Sequence, residues 1–145
     1  MTNDPADDTL VVRRVIAVPR ERVFAAWLDP ASLAKFMLPG DVTVATAEVD
    51  AKVGGKFRIV MTHKLAVAEH WGWYLAIEPP SLLSFSWISE NTDFKPTVVT
   101  IEFRDHERGT ELTLTHRGLP KRTRDAHREG WSDIVRAEDE LLRAE

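Results

Sequence analysis

Hydrophobic and polar residues alternate through most of the chain, and this pattern predicts a domain rich in β-strands. A β-branched run opens the pattern, and six further alternating runs follow it. Short turns that contain glycine, proline or charged residues separate the later runs, so we expect neighbouring strands to pair in antiparallel fashion. The seven predicted strands cover residues 10–18, 42–49, 56–63, 70–77, 82–87, 97–104 and 110–116.

Apolar residues recur at helical spacing in three segments. Val23, Phe24 and Trp27 predict a short helix after the first strand, and Asp29-Pro30 separates it from a second at residues 31–38. The longest helical pattern covers residues 121–143 and carries a broad apolar stripe. The stripe comprises Ala126, Gly130, Trp131, Ile134, Val135, Ala137, Leu141 and Leu142, and the opposite side carries Arg128, Asp139 and Arg143.

The order of these elements predicts the fold class. Alternation along the strands implies that one face of the sheet is covered, and the long helix is the predicted element large enough to cover it. We therefore predict an α+β domain with a curved antiparallel sheet of about seven strands wrapped around a long C-terminal helix, with two short helices after the first strand. A length of 145 residues suits one domain, which we place at residues 9–145 behind a disordered tail at residues 1–8.

Composition narrows the classes of function. The chain has no cysteine, which excludes disulfides, thiolate catalysis and cysteine-ligated metals. A net charge of -4 argues against non-specific nucleic-acid binding. No apolar run approaches the roughly 20 residues of a membrane span. The acidic start lacks the features of a signal peptide, so we expect a cytoplasmic protein that binds neither nucleic acid nor membrane.

Five tryptophans are a heavy load for a chain of this length. They are expected either to fill a core or to wall a pocket for an apolar ligand, and residue type alone does not separate these alternatives. Alternation predicts that Trp71, Trp73, Leu75 and Ile77 share one strand face, with Tyr74 on the other. We expect the tryptophan face of this strand to point towards the long helix.

Six stretches carry a family resemblance. They are PRERVFAAWLDPASLAKFMLPG, VGGKFR, HWGWYLAIEPPSLLSFSW, TVVTIEF, TELTLTHRGLP and AHREGW. In this order they resemble the heat-shock-protein-90 ATPase activator homologue family, within the START-like or SRPBCC helix-grip superfamily, over residues 9–143. The resemblance implies a seven-stranded sheet wrapped around the last helix, with a cavity between them. Family members include ligand binders, self-sacrificing resistance proteins and cyclase-like enzymes, and contact with a chaperone follows by analogy alone.

The segment after the second helix departs from the family pattern. Family members often carry a tryptophan pair and Gly-Pro there, whereas this chain has Phe36-Met37-Leu38-Pro39-Gly40. The replacement is still apolar, so we expect an apolar rim at which Phe36 and Met37 help to gate the cavity.

Histidines are the candidates for chemistry. His116 and His127 are weak candidates for acid–base catalysis because imidazole titrates near neutrality. We favour a structural interpretation for both, since most buried polar groups are hydrogen-bonded and chemically silent. His70 and His106 are interpreted as loop or strand-edge residues. Glu138 is expected at a cavity end or at the surface, because an unpaired buried carboxylate is unfavourable.

The chain lacks the common sequence motifs for metal binding, nucleophilic catalysis and phosphate binding. No H-x-H or H-x-x-x-H spacing is present, so we expect no metal and no cofactor. No serine lies in a G-x-S-x-G motif, and Gly54-Gly55 is a turn rather than a phosphate loop. The basic residues between Arg117 and Arg124 are interpreted as a solvated helix start.

The leading hypothesis is therefore a domain that binds a small hydrophobic or aromatic molecule between the sheet and the long helix. A cyclase- or hydrolase-like enzyme and a chaperone ATPase co-regulator are the alternatives. A homodimer formed through an exposed sheet edge is left open. The predicted ligand-binding residues are Phe36, Met37, Phe57, Ile59, Met61, His63, Trp71, Trp73, Phe85, Trp87, Ile101, His116, His127, Trp131, Ile134 and Val135.

Overall fold

The computed structural model describes residues 8–64 and 66–145. Its elements follow the predicted order, with one short 3-10 helix added at Glu90–Thr92. The strands are β1 (Leu10–Ile16), β2 (Val44–Val49), β3 (Lys56–His63), β4 (Ala66–Glu78), β5 (Leu82–Trp87), β6 (Thr97–His106) and β7 (Gly109–Arg117); the helices are α1 (Arg20–Ala26), α2 (Pro30–Phe36) and α3 (Lys121–Ala144).

The seven strands form one antiparallel sheet in the order β1-β7-β6-β5-β4-β3-β2. Strands β2 to β7 pair with their neighbours in sequence, as the short turns between them predict, and β1 completes the sheet beside β7. The sheet curls as a half-barrel with α3 against its inner face, which confirms the predicted α+β helix-grip class. None of the helices in residues 8–64 and 66–145 combines the length and apolar character needed to span a membrane.

Both ends of the domain are held to the rest of the chain. The predicted tail at residues 1–8 lies outside the described residues except for Asp8, whose carbonyl accepts a hydrogen bond from the backbone N–H of Leu119.

Near the C-terminus, Asp139 was predicted on the side of α3 opposite the apolar stripe, facing away from the core, and this was wrong. Its carboxylate is 4% exposed and accepts hydrogen bonds from Arg14 and Arg143, both at 2.8 Å. Two arginine partners make burial of this charge tolerable.

The part of β4 up to Leu75 faces the opposite way from the prediction, whereas Ile77 points inwards as predicted, because a β-bulge between Tyr74 and Ala76 shifts the register and pairs Ile77 with buried Leu83. Trp73 and Leu75 are 42% and 50% exposed, whereas His70 and Tyr74 point inwards and are buried. The reason is the register with β3, in which inward-facing Phe57 pairs with Gly72, because directly paired residues share a face. Gly72 is required there, since a Cβ atom would lie 1.9 Å from the carbonyl oxygen of Ser86.

Candidate ligand pocket

A pocket of about 250 Å³ opens between the N-terminal half of α3 and the ends of β3, β4 and β5. Its apolar wall comes from the sheet and from α3, and its polar groups lie around the mouth and along one side. The apolar wall consists of Met61, Trp87, Trp131 and Ile134; the polar side chains are His70, Asn91, His127, Glu129 and Asp133; and Pro39, Gly40, Ala126 and Gly130 form the rim.

Small residues on α3 leave this end of the domain open. Gly130 lies opposite Pro39, and a Cβ atom on Gly130 would make only an ordinary contact with the Pro39 ring, at 3.6 Å. The backbone N–H of Gly40 donates to the Asp133 carboxylate at 2.9 Å, which fixes the rim loop to the helix. The pocket therefore has a defined wall on the loop side without a large side chain to fill it.

The C-terminal half of α3 packs closely against the rest of the domain and forms the closed end, where Glu138 is 0% and Leu142 is 4% exposed. A small gap between the two short helices and the sheet measures about 10 Å³, close to the smallest volume that holds one water molecule. Trp27, Met37, Phe57 and Phe85 are among the side chains that line this gap. Trp87 borders both the gap and the open pocket, and its ring lies 4.9 Å from that of Trp131. Among the described residues, the larger of these two spaces thus lies beside the N-terminal half of α3.

His116 is held in a directed chain of hydrogen bonds. The Trp131 indole N–H donates to His116 Nδ1 at 2.9 Å, which leaves the proton of the neutral ring on Nε2. His116 Nε2 then donates to the Thr97 hydroxyl at 2.7 Å, and Thr97 donates to the carbonyl oxygen of Trp87 at 2.6 Å. Burial lowers the pKa of His116 to about 3. The ring is thus neutral, has both nitrogens occupied, and is structural.

His127 packs against His116 but has a different environment. The two rings meet edge to face with centroids 5.2 Å apart. His127 Nδ1 donates to the Thr123 carbonyl oxygen at 2.8 Å, so Nε2 is the acceptor nitrogen of the neutral ring. Burial lowers the pKa of His127, which favours this neutral form. His127 lines the pocket, and His116 does not.

His70 lines the pocket, and the sequence interpretation did not place it there. It was assigned to a loop or strand edge, but it lies within β4, pairs with Ile59 of β3 and is 8% exposed. Its ring packs 4.9 Å from that of Trp87, and burial lowers its pKa to about 4. Nδ1 is buried and forms no hydrogen bond of good geometry with the described residues, although the nearby backbone groups of Ile59 and Ala68 partly oppose the lowering of the pKa by burial. Because the predicted strand began at residue 70, His70 was assigned to its edge. In the structure β4 begins at Ala66, so His70 lies inside the strand.

Glu138 is buried in the closed region, which contradicts its predicted place at a cavity end or the surface. The side chain is 0% exposed and accepts a hydrogen bond from the Trp27 indole N–H at 3.0 Å. Burial raises the pKa of Glu138 well above its usual range, and a protonated carboxyl avoids the penalty of an isolated buried charge. Its second oxygen has no hydrogen-bond partner among the described residues.

The predicted ligand-binding residues separate into three groups. Met61, Trp87, His127, Trp131 and Ile134 line the pocket. Trp73 faces outwards and Trp71 borders a different hollow, so their assignment to the inner wall was wrong. The remaining predicted residues lie outside the pocket lining, most of them in the packed core: Phe36, Met37, Phe57, Ile59, His63, Phe85, Ile101, His116 and Val135. Phe36 and Met37 are 0% and 1% exposed, so Pro39 and Gly40 form the rim in their place.

The arrangement offers hydrogen bonding inside an apolar recess rather than metal coordination. Within the described ranges, no group of three or more His, Asp or Glu side chains is placed to hold a metal ion. The pocket histidines are neutral, and each is positioned by packing against an aromatic or imidazole ring. This chemistry suits recognition of a small polar group on an otherwise apolar molecule.

Comparison with known proteins identifies the family. Residues 17–142 match the family described as Activator of Hsp90 ATPase homolog 1-like protein, called AHSA1. The chain belongs to the AHSA1 family. This AHSA1 domain covers most of the chain, in agreement with the resemblance read from the sequence. No curated protein matches the chain with significance.

Solved structures share the AHSA1 fold. A Chromobacterium violaceum protein superposes with a TM-score of 0.86 at 25% identity, over 94% of this chain and 97% of its own. A Mycobacterium smegmatis protein gives a TM-score of 0.80 at 26% identity, over 95% and 92%. An AHSA1-like protein from Aeromonas hydrophila gives 0.76 at 24% identity, over 94% and 92%. The three superpositions cover 94–95% of this chain and 92–97% of the neighbouring chains.

Proposed function

We propose that this AHSA1 domain binds a small, mostly apolar or aromatic molecule in the pocket at the N-terminal half of α3. The observation that carries the proposal is the buried Nδ1 of His70, which lacks a partner in the described residues beside an apolar wall. A buried polar atom without a partner is unfavourable by about 1–3 kcal/mol. A ligand that forms a hydrogen bond with this atom would remove that penalty.

Charge at the pocket favours a neutral or cationic ligand over an anionic one. Its ionised side chains are Glu129 and Asp133, and its two histidines are kept neutral by burial. A carboxylate or phosphate on the ligand would meet the Glu129 carboxylate and no cationic side chain in the lining, while the Asp133 carboxylate is already paired with Arg136 at 3.0 Å. A volume of about 250 Å³ limits the inner part of the ligand to one or two fused rings.

Binding is better supported than catalysis. The enzymatic alternative needs His116 or His127 as acid or base, but both nitrogens of His116 are engaged in hydrogen bonds. His127 has an available acceptor nitrogen, yet its orienting partner is a backbone carbonyl rather than a carboxylate that would stabilise imidazolium. Chaperone ATPase regulation rests on the family description, and a cytoplasmic location likewise stays a prediction from the sequence.

A pair of substitutions at Gly130 tests the proposal. Gly130→Leu places a branched side chain at the rim and into the pocket, whereas Gly130→Ala adds one methyl group at ordinary contact distance from Pro39. The fluorescent probe 1-naphthylamine is neutral at pH 7.5 and carries an N–H donor. We expect it to bind the wild type and Gly130→Ala, and to bind Gly130→Leu at least tenfold more weakly. If no binding to the wild type is detected at millimolar concentration, or if the two variants bind alike, the proposed pocket is wrong.

A further inference from the structure

A second hollow adjoins the pocket. It has a volume of about 340 Å³ and lies between the first half of β4 and the segment around the 3-10 helix. His70 and Asn91 line both spaces, so these two side chains mark where the hollows meet. His70, whose buried Nδ1 lacks a hydrogen-bond partner among the described residues, therefore borders both the inner and the outer hollow.

The outer hollow presents an aromatic surface in an unusual conformation. Phe94 has φ of 58° and is 64% exposed, and its ring stacks on Trp71 with centroids 6.3 Å apart. A bulky residue in the left-handed region is disfavoured by about 1–2 kcal/mol. Such a conformation persists only where surrounding contacts impose it, and it is commonest at functional sites.

Several contacts hold the Phe94 segment in place. The Thr92 hydroxyl donates to the carbonyl oxygen of Lys95 at 2.8 Å and accepts from the backbone N–H of Ser89 at 3.1 Å. Arg122 of α3 pairs with the Asp93 carboxylate, and the Thr123 hydroxyl donates to the carbonyl oxygen of Asn91 at 2.9 Å. The segment is thus fixed to the same end of α3 that forms the inner pocket.

We propose that the two hollows are one elongated site, with an outer subsite in which Phe94 and Trp71 receive a second ring of the ligand. This rests on the proposed function and specifies its ligand class. The ligand is a neutral or cationic molecule with an apolar inner end, a hydrogen-bonding group at its middle beside His70, and a planar outer end. Glu69 and Glu90 border the outer hollow; Glu69 is paired with Arg58 at 2.9 Å, so Glu90 is the carboxylate that disfavours an anionic outer end there.

Two probes that differ by one ring provide the test. N-phenyl-1-naphthylamine is 1-naphthylamine with a phenyl group on nitrogen, so it keeps the central N–H and adds an outer ring. Dissociation constants of both are measured by fluorescence at pH 7.5 for the wild type, Phe94→Ala and Val53→Ala. Val53 is 62% exposed and lies outside both hollows, so it is a matched surface control. Melting temperatures verify that each variant is folded.

We expect Phe94→Ala to weaken N-phenyl-1-naphthylamine about three- to tenfold, the range of one aromatic contact, and to leave 1-naphthylamine unchanged. Val53→Ala should change neither constant. Equal weakening of both probes, or no weakening of the longer one, would overturn the outer subsite. If Gly130→Leu still weakens the binding of both probes in that case, the inner pocket is supported without the outer subsite. If the wild type binds neither probe, the proposed function fails and the outer subsite fails with it.

Discussion

The two ends of the interface between α3 and the sheet are built from the same kinds of residue but are packed differently. At the closed end, Trp27, which directly follows α1, donates to the buried Glu138, and the gap that Trp27 borders on its sheet side measures about 10 Å³. At the open end, Ala126 and Gly130 face Trp87 across about 250 Å³. Both ends are rich in aromatic residues, so aromatic content does not distinguish core from site. The two ends differ in the size of the α3 residues, which are small at the open end (Ala126 and Gly130) and larger at the closed end (Glu138).

The largest expected effect comes from removing an aromatic ring at the closed end. Phe57 packs against Phe85 and Trp87 with centroids 5.4 and 6.0 Å away. Phe57→Ala should lower the free energy of unfolding by about 3–5 kcal/mol, measured by urea denaturation. Gly130→Ala at the open end should be neutral or slightly stabilising, because alanine is the better helix former. A loss below about 1 kcal/mol for Phe57→Ala would contradict the tight packing of the closed end.

Acid should destabilise the domain through the histidine between the two ends. The pKa of His116 falls from 6.5 to about 3 on folding, so below pH 6.5 the unfolded chain binds a proton that the folded chain does not. Stability therefore decreases as the pH falls from 6.5 towards 3, by about 1 kcal/mol per pH unit.

The matched variant is His116→Gln. It should be less stable than the wild type at pH 7, because the links to Thr97 and Trp131 are weakened. It should also show a shallower loss between pH 6 and pH 4, where the lowered pKa values of His70 and His127 still contribute slopes of the same sign. Urea midpoints at four pH values measure the slopes, and identical slopes would exclude His116 as the acid-sensitive group.

Glu138 should act in the opposite sense at the closed end. Its folded pKa is raised above 4.5, so at higher pH the folded state holds a proton that the unfolded state has lost. Its contribution to stability therefore decreases as the pH rises through that window. Glu138→Gln keeps an acceptor for the Trp27 N–H and cannot ionise. Relative to the wild type, the variant should become more stable as the pH rises from 5 to 8, and a difference that is constant with pH would be inconsistent with a protonated Glu138.

The smallest effect is expected on the outer face of β4. Trp73 is 42% exposed and has the ammonium group of Lys56 6.0 Å from its ring. Trp73→Thr should lower the free energy of unfolding by less than about 1 kcal/mol, since an exposed cation–π contact contributes little. It should leave 1-naphthylamine binding unchanged. A large loss of stability or of 1-naphthylamine binding would indicate that Trp73 belongs to the inner wall, as the sequence pattern predicted.

The sequence predicted the fold better than the site. Periodicity located the seven strands and three α-helices of the described residues and placed the ends of β3 and β5 at the observed residues, because alternation and helical spacing are local properties. It did not locate the 3-10 helix at Glu90–Thr92. The site depends on which of two alternating faces points inwards. For β4 both faces contain apolar residues, and pairing of Phe57 with Gly72 decided the choice. The same register places His70 on the inner face of β4, where it lines the pocket, although the sequence interpretation had assigned it to a loop or strand edge.

By itself, the sequence determined an α+β chain of seven strands and three helices, because the periods of hydrophobic residues follow backbone geometry. Only the tertiary structure decided that Glu138 is buried beneath Trp27, that His116 is held by Trp131 and Thr97, and that space remains beside Gly130. These features depend on side chains that are far apart in sequence and meet only when the sheet curls around α3. Their positions follow from packing, which no local pattern records.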